Sequence, residues 1–318
     1  MQRSSAAAFL VALVALFLPE AATARTQEPG TAVVHHAAEA RSAQSGTEYW
    51  TPERRAAAVP RALGEVEVPD SVRPQAASDA RTAPTVLAEP TSPAASPLAA
   101  PLGAAAVSHA TVGKVFFTVD GAGYVCSASV VSSAGKNMVF TAGHCLHDGN
   151  GGSWAEKFTF YPGFENNTAP YGGYEFETLV TTVGWAEDGD FDYDFGIALM
   201  GQFQGYEVVE VVGGNGVWAG YSGTQNFLAM GYSAAGAYDG MTLQVCDAQA
   251  EPEGGQYEMD CTNQTGGASG GPWVENTGSV PYVSGVNSNA DDRDNPTVIR
   301  SPHFGSWVID LYNEYAQG

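Results

Sequence analysis

Three polar residues stand in surroundings that suit covalent chemistry. His144 lies in "TAGHC", Asp194 lies in "FDYDFGIALM", and Ser269 lies in "TGGASGGPW". A serine hydroxyl is a poor nucleophile unless a base lies within hydrogen-bonding distance, and that base needs a carboxylate to orient it. The chain supplies one residue of each type, which predicts nucleophilic attack by Ser269 with His144 as base. Asp190 and Asp192 compete with Asp194, which is preferred because it directly precedes an apolar run.

The glycines around Ser269 predict a second feature of the same chemistry. A backbone N–H can face a developing oxyanion only where no side chain blocks the approach and unusual φ values are tolerated. Gly267 and Ser269 are therefore predicted to donate these two hydrogen bonds. The alternative is that "GGASGG" is simply a flexible turn, and "TAGHC" upstream favours the functional interpretation.

The elements that must position these residues are short β-strands. Such runs are rich in β-branched and aromatic residues and are bounded by turn residues, which predicts a closed antiparallel barrel or a pair of sheets. The C-terminal "HFGSWVIDLYNEYAQG" has apolar residues at helical spacing and predicts one helix. The predicted strands are "GKVFFTVDG", "GYVCSASVVSS", "NMVFTAG", "KFTFYPG", "FETLVTTVGW", "FGIALMG", "YEVVEVVGG", "NFLAMGYS", "MTLQVCD", "QYEMDC" and "YVSGVNS".

The chain divides into three segments. Residues 1–24 carry Arg3, an apolar run and a small-residue cleavage pattern, which predicts a signal peptide and hence a secreted, extracellular protein. Residues 25–106 are rich in alanine and proline and are expected to be extended or disordered, either as a removable propeptide, the preferred interpretation, or as a linker. Arg54-Arg55 is a candidate processing point. Residues 107–318 are the predicted globular domain.

All four cysteines lie in that domain, and an even number in an exported chain predicts two disulfides. Sequence order and short loops favour Cys126–Cys145 and Cys246–Cys261, although three pairings are possible. The cysteines and histidines lack the spacing of a zinc site, and "DGDFDYD" lacks the glycine and glutamate of a calcium loop. No metal and no cofactor are therefore expected.

The domain is strongly acidic. From residue 107 onward there are 25 acidic and 5 basic residues, which disfavours nucleic acids and anionic membranes as partners. We expect a soluble protein, a monomer, that acts on a protein or peptide.

The motifs around His144 and Ser269 resemble those of the chymotrypsin-like (trypsin-fold) serine proteases, in particular the secreted bacterial branch that includes the glutamyl endopeptidases. The resemblance covers about residues 111–318. It implies two packed antiparallel β-barrels, with His144, Asp194 and Ser269 as base, orienting acid and nucleophile. It also implies that Gly267 and Ser269 form the oxyanion hole and that Cys126–Cys145 spans the histidine loop.

Two departures from that family concern activation and specificity. Ala268 stands where many relatives have aspartate, so activation is expected to occur by removal of residues 25–106 and not by insertion of a new N-terminus. The resemblance places the substrate pocket around Asn263, Thr265 and Asn287. No carboxylate lies at its base and no histidine occupies the place of Asn287, so neither cleavage after Lys or Arg nor cleavage after Glu is predicted.

Two other functions compete. An α/β-hydrolase esterase would use Ser269 in G-x-S-x-G, with Asp291 or Asp294 and His303 following in the required order. Gly270-Gly271-Pro272 opposes the helix which that motif needs after its serine. A non-catalytic binding module on the protease fold is the third interpretation, but such proteins usually lack one of the three residues.

Overall fold

The computed structural model describes residues 30–38, 44–61, 64–65, 83–94, 98, 109–275 and 281–318. The predicted signal peptide, residues 1–24, lies outside them. The strands are β1 Val33–Ala37, β2 Val59–Pro60, β3 Gly64–Glu65, β4 Thr85–Ala88, β5 Val112–Val119, β6 Ala122–Val130, β7 Met138–Thr141, β8 Glu156–Pro162, β9 Tyr174–Thr182, β10 Gly196–Met200, β11 Gly216–Ala219, β12 Gln225–Gly231, β13 Gln244–Glu253, β14 Gln256–Asp260, β15 Pro272–Glu275, β16 Tyr282–Val286, β17 Asn289–Ala290 and β18 Val298–Pro302. The helices are α1 Gly46–Tyr49, α2 Pro52–Ala57, α3 Val183–Ala186, α4 Val208–Val212 and α5 Ser306–Tyr315, and 3-10 turns cover Gly143–Cys145 and Phe191–Tyr193.

Six strands close into a barrel in the order β9-β10-β7-β6-β5-β8, with β8 pairing back onto β9. Every residue of β5 is buried. Val115 and Phe117 belong to the cluster inside this barrel, whereas Phe116 belongs to the cluster shared with the second sheet. Because successive side chains of a strand point to opposite faces, a strand covered on both faces is mostly apolar, and the exceptions in β5 are Lys114 and Thr118.

The second half of the domain is another curved sheet, in the order β17-β18-β14-β13-β12-β15-β16-β11. Strands β16 and β18 also meet, because the Val286 N–H donates to the Ser301 Oγ at 2.9 Å. The Cys246–Cys261 disulfide joins β13 to the end of β14, and Cys126–Cys145 joins β6 to the 3-10 turn after β7. The predicted all-β architecture is confirmed, and both favoured cysteine pairings form.

The predicted C-terminal helix is α5. It buries Val308, Leu311 and Tyr312 against the β-strands, and the Tyr312 hydroxyl donates to the Ser132 carbonyl at 2.7 Å. Within the described residues, no helix has the length and hydropathy that a bilayer crossing requires.

One strand prediction is wrong, because "YEVVEVVGG" contains the short helix α4. Glu207 and Glu210 form a reciprocal capping box at its N-terminus, and Gly213 ends it at a φ of +77°. Val208, Val209, Val211 and Val212 are all buried. Valine favours strands and destabilises a helix by only about 0.5 kcal/mol per residue relative to alanine. The burial of these four side chains therefore outweighs that preference.

Residues 25–106, expected to be extended or disordered, are ordered on the domain in the part that the structure describes. Strand β1 pairs with β9, β2 with β6, β3 with β17 and β4 with β11. Trp50 is 2% exposed, its indole N–H donates to the Lys157 carbonyl at 2.8 Å, and its ring packs on Phe116. The segment has too few apolar residues to form a core of its own. It is ordered because its strands pair with strands of the domain and Trp50 fills an apolar site there.

The packing of α5 gives the first prediction. Leu311→Ala should lower the free energy of unfolding by about 3 kcal/mol, because it removes a buried side chain and leaves a cavity. Asn313→Ala, on the exposed face of the same helix, should change it by less than about 0.5 kcal/mol. Urea denaturation checks both, and equal effects of the two substitutions would show that the helix does not pack as described.

Candidate active site

His144 lies in a turn with almost no freedom to move. Strand β7 runs directly into the 3-10 turn Gly143–Cys145, whose three residues are buried. A Cβ on Gly143 would lie 2.8 Å from the Thr181 side chain and 2.8 Å from the Trp185 ring, so only glycine fits there. The disulfide from Cys145 to Cys126 then ties this turn to β6. Strand, close packing and crosslink together fix the imidazole.

Asp194 follows the 3-10 turn Phe191–Tyr193, precedes β10 and is completely buried. Its Oδ1 accepts the His144 backbone N–H at 2.7 Å, and its Oδ2 lies 2.8 Å from the His144 Nδ1. The Ser288 hydroxyl donates to the same Oδ2 at 2.6 Å. These three hydrogen bonds compensate for the desolvation of the carboxylate. Because the imidazole contacts Asp194 through Nδ1, its Nε2 faces away from the carboxylate.

The competing carboxylates do not reach His144. Asp190 is exposed, and its side chain accepts the Asp192 backbone N–H at 3.0 Å, which caps the 3-10 turn. Of the three candidates, Asp194 is the one in contact with the imidazole.

The Ser269 turn is held against the first barrel. The Ser127 N–H donates to the Ser269 carbonyl at 2.7 Å, and the Ser127 hydroxyl donates to the Gly267 carbonyl at 2.9 Å. Gly270 has a φ of +77°, and a Cβ there would lie 2.0 Å from the Thr141 Oγ1. Because Thr141 ends β7, just before the histidine turn, the glycine lets the two turns approach closely.

Four groups in these two turns lack partners. His144 Nε2 and Ser269 Oγ are buried without a hydrogen bond. In the part of the chain that the structure describes, the backbone N–H groups of Gly267 and Ser269 donate no hydrogen bond either. Unsatisfied buried polar groups are rare and call for an explanation. A base, a hydroxyl and two free N–H groups are the set that nucleophilic acyl transfer needs.

Asn287 is part of the framework of this site. It is 1% exposed, and its Oδ1 accepts the Trp273 indole N–H at 2.8 Å. Its Nδ2 lies within 3.0 to 3.1 Å of the carbonyls of Met230 and Ala268 and of the Gln264 Oε1. The sequence predicted that Asn287 lines the substrate pocket. In the structure its amide is instead fully hydrogen-bonded to protein and holds Ala268, the residue before Ser269.

The other two predicted pocket residues lead into the Ser269 turn. The half-buried Asn263 donates through its Nδ2 to the Val245 carbonyl at 2.8 Å. Thr265 is buried, and its hydroxyl donates to the Ala235 carbonyl at 3.1 Å. The structure thus gathers both residues beside the turn, with their polar atoms bonded to protein.

Sequence reasoning missed two residues of the site. Ser288 holds Asp194, and Ser127 holds both Gly267 and Ser269. Ser127 has one signal in the sequence, its place directly after a disulfide cysteine; Ser288 has none beyond its place after Asn287. Both contacts cross between the two halves of the domain, so sequence spacing does not reveal them.

His147, three positions after His144, is buried. Its Nδ1 accepts the Gly149 N–H at 3.0 Å, its ring packs edge-on against Trp154, and burial lowers its pKa. Among the described residues, one cluster has metal-ligand spacing, formed by Cys126, His144 and Cys145. Both sulfurs are in a disulfide and supply no thiolate.

The framework role of Asn287 is testable by one substitution. Asn287→Asp would place a carboxylate against three oxygen acceptors in a buried site, and should lower the free energy of unfolding by about 3 kcal/mol. Asn226→Asp, at an exposed position of β12, is the matched control and should change it by less than about 0.5 kcal/mol. Denaturant titration measures both, and a stable Asn287→Asp protein would contradict the assignment.

No protein-family model matches the chain. A glutamyl endopeptidase from Bacillus licheniformis is 30% identical over 158 residues, which are 48% of this chain and 46% of that protein. The chain thus spans about half the length of this curated relative.

Solved structures give longer matches. A thermostable serine protease, AL20, from an extremophilic microorganism has a TM-score of 0.62 and 34% identity, over 66% of this chain and 98% of that one. The protease Anisep from Arthrobacter nicotinovorans has a TM-score of 0.63 and 34% identity, over 67% and 98%. A Glu endopeptidase has a TM-score of 0.50 at 19% identity, over 72% and 97%, and is similar in fold alone.

Proposed function

This chain belongs to the serine proteases of the chymotrypsin-like fold, and from that premise we propose that it is a secreted endopeptidase. It would hydrolyse peptide bonds of protein or peptide substrates through an acyl-enzyme. The observation that carries the proposal is the His144–Asp194 pair beside the Ser269 turn. The His144 Nε2 and the Ser269 hydroxyl both lack a hydrogen-bond partner, and the turns that carry them pack closely at Gly270.

The proposed reaction has two halves. The Ser269 Oγ attacks the scissile carbonyl carbon while the His144 Nε2 takes the hydroxyl proton. The oxyanion accepts hydrogen bonds from the N–H groups of Gly267 and Ser269, each worth about 3 kcal/mol of transition-state stabilisation. Collapse breaks the C–N bond, and His144 gives its proton to the departing amine. Water then attacks the ester with the same proton relay, which releases the acid and restores Ser269.

Asp194 and Ser288 act through His144. The Asp194 carboxylate fixes the tautomer that carries a proton on Nδ1 and stabilises the imidazolium that forms during attack. Ser288 holds that carboxylate from the other half of the domain and is a positioning residue. Asn263 and Thr265 are proposed to line the substrate pocket, with Asn287 as its framework.

The two alternative functions receive less support. The esterase interpretation needs His303 as base, but the His303 Nε2 lies 2.8 Å from the Tyr221 carbonyl, and the strands around Ser269 are antiparallel. The binding-module interpretation gives no reason for leaving four buried polar groups free beside the His144–Asp194 pair.

Residues 25–106 are proposed to be a propeptide that keeps the enzyme latent in the unprocessed chain. Trp50 and four strands hold the segment on the domain, and Ser269 is 0% exposed in the unprocessed chain. A Cβ on Gly266 would lie 3.4 Å from Pro60, so the segment runs beside the Ser269 turn. The two disulfides support secretion, because such bonds persist in oxidising compartments.

Active-site labelling tests the nucleophile. A fluorophosphonate probe should label the processed protein once, and Ser269→Ala should abolish labelling. Ser284→Ala is the matched control, because its hydroxyl is also buried and unpartnered but belongs to β16; this variant should label normally. Labelling of Ser269→Ala at the parent rate would refute the assignment.

Latency is tested on the same readout. The unprocessed chain should react with the probe at least about tenfold more slowly than protein processed to remove residues 25–106, because the nucleophile is covered. Processing is followed by mass spectrometry and labelling by in-gel fluorescence. Equal rates before and after processing would contradict a propeptide role.

A further inference from the structure

An arginine of the N-terminal segment, Arg61, is bound close to the histidine turn. Strand β2 runs parallel to β6, with Val59 opposite Tyr124 and Pro60 opposite Val125. The next residue, Arg61, donates its backbone N–H to the Val125 carbonyl at 2.9 Å. The backbone contact fixes where the Arg61 side chain begins.

The guanidinium of Arg61 occupies a cradle formed by Tyr124 and Asp148. Its Cζ lies 4.9 Å from the centroid of the Tyr124 ring, and one of its terminal nitrogens donates to the Asp148 carboxylate. The side chains of Arg61 and Asp148 are 20% and 27% exposed, so the pair is screened less than one on an open surface. An aromatic face beside a carboxylate suits a flat cation better than a neutral side chain.

The cradle adjoins the histidine turn. Asp148 is four positions after His144, and its N–H donates to the Ser153 carbonyl at 2.9 Å, which holds the loop in place. Tyr124 is two positions before Cys126, whose disulfide reaches the histidine turn. In the proposed reaction the imidazole must reach the departing nitrogen, so the residues after the scissile bond lie on this side.

Among the described residues, Asp148 contacts no lysine or arginine other than Arg61. Within the domain, Lys114 bonds to the Gly240 carbonyl, Lys136 to Glu210, Arg293 to Asp294 and Arg300 to Glu258, while Lys157 bonds to the Gln44 carbonyl of the N-terminal segment. When the segment that carries Arg61 is removed, the half-buried carboxylate of Asp148 loses this guanidinium.

We propose that Tyr124 and Asp148 form a subsite for an arginine or lysine side chain of the substrate, on the leaving-group side of the scissile bond. Arg61 occupies this subsite in the unprocessed chain and marks its chemistry. The proposal rests on the proposed endopeptidase function and names a feature of its substrates that the pocket residues do not determine.

The test uses the processed enzyme and pairs of peptides that share one cleavage site. Each pair carries arginine or its neutral isostere citrulline at the first, second or third position after the scissile bond. At one of these positions kcat/KM should be about tenfold higher with arginine, as expected for a half-buried charge pair with an aromatic contact. Asp148→Asn should lower that ratio to about two or three, because the Tyr124 ring remains.

Controls separate this subsite from the overall acidity of the domain. Glu314→Gln removes an exposed charge on α5 and should keep the arginine preference. Tyr124→Leu removes the ring without altering the histidine loop and should lower the ratio several-fold. Equal ratios at all three positions in the parent, or an unchanged ratio in Asp148→Asn, would overturn the subsite. Failure to cleave any peptide would instead count against the endopeptidase function.

Discussion

The buried carboxylate of Asp194 is the interaction on which the arrangement of the site depends. It comes from the first barrel, yet one of its three hydrogen bonds is donated by Ser288 of the second sheet. A desolvated charge is costly unless its hydrogen-bonding capacity is filled, so the two halves must be in register before this carboxylate is stable. The same register aims the imidazole of His144 at the cleft. Folding stability and the geometry of the reaction thus share one set of contacts.

A second set of contacts between the halves positions the Ser269 turn. Ser127, on β6, donates to the carbonyls of both Gly267 and Ser269. Gly270 allows a distance that any side chain would prevent. On the other side, Asn287 bonds to the residue before Ser269. The carbonyls of this turn are therefore engaged with protein, while the N–H groups of Gly267 and Ser269 stay free for a ligand.

The N-terminal segment uses the domain as its template. It contributes strands to exposed sheet edges, and Trp50 fills a site that has an aromatic wall at Phe116 and a backbone acceptor at Lys157. The segment is thereby ordered against the domain, in agreement with the propeptide role proposed for it.

The sequence by itself identified the candidate residues and most of the β-strands, because both are local patterns. "TAGHC", the residue before "FGIAL" and "GGASGG" each identify a residue by its neighbours, and alternation with turn residues indicates strands. Only the tertiary structure decided the roles of Ser288, Ser127 and Asn287, since these are set by contacts between residues up to 142 positions apart, as from Ser127 to Ser269. It likewise turned the valines of α4 into a helix and ordered part of residues 25–106. In both cases burial supplied by distant strands outweighed the local preference of the chain.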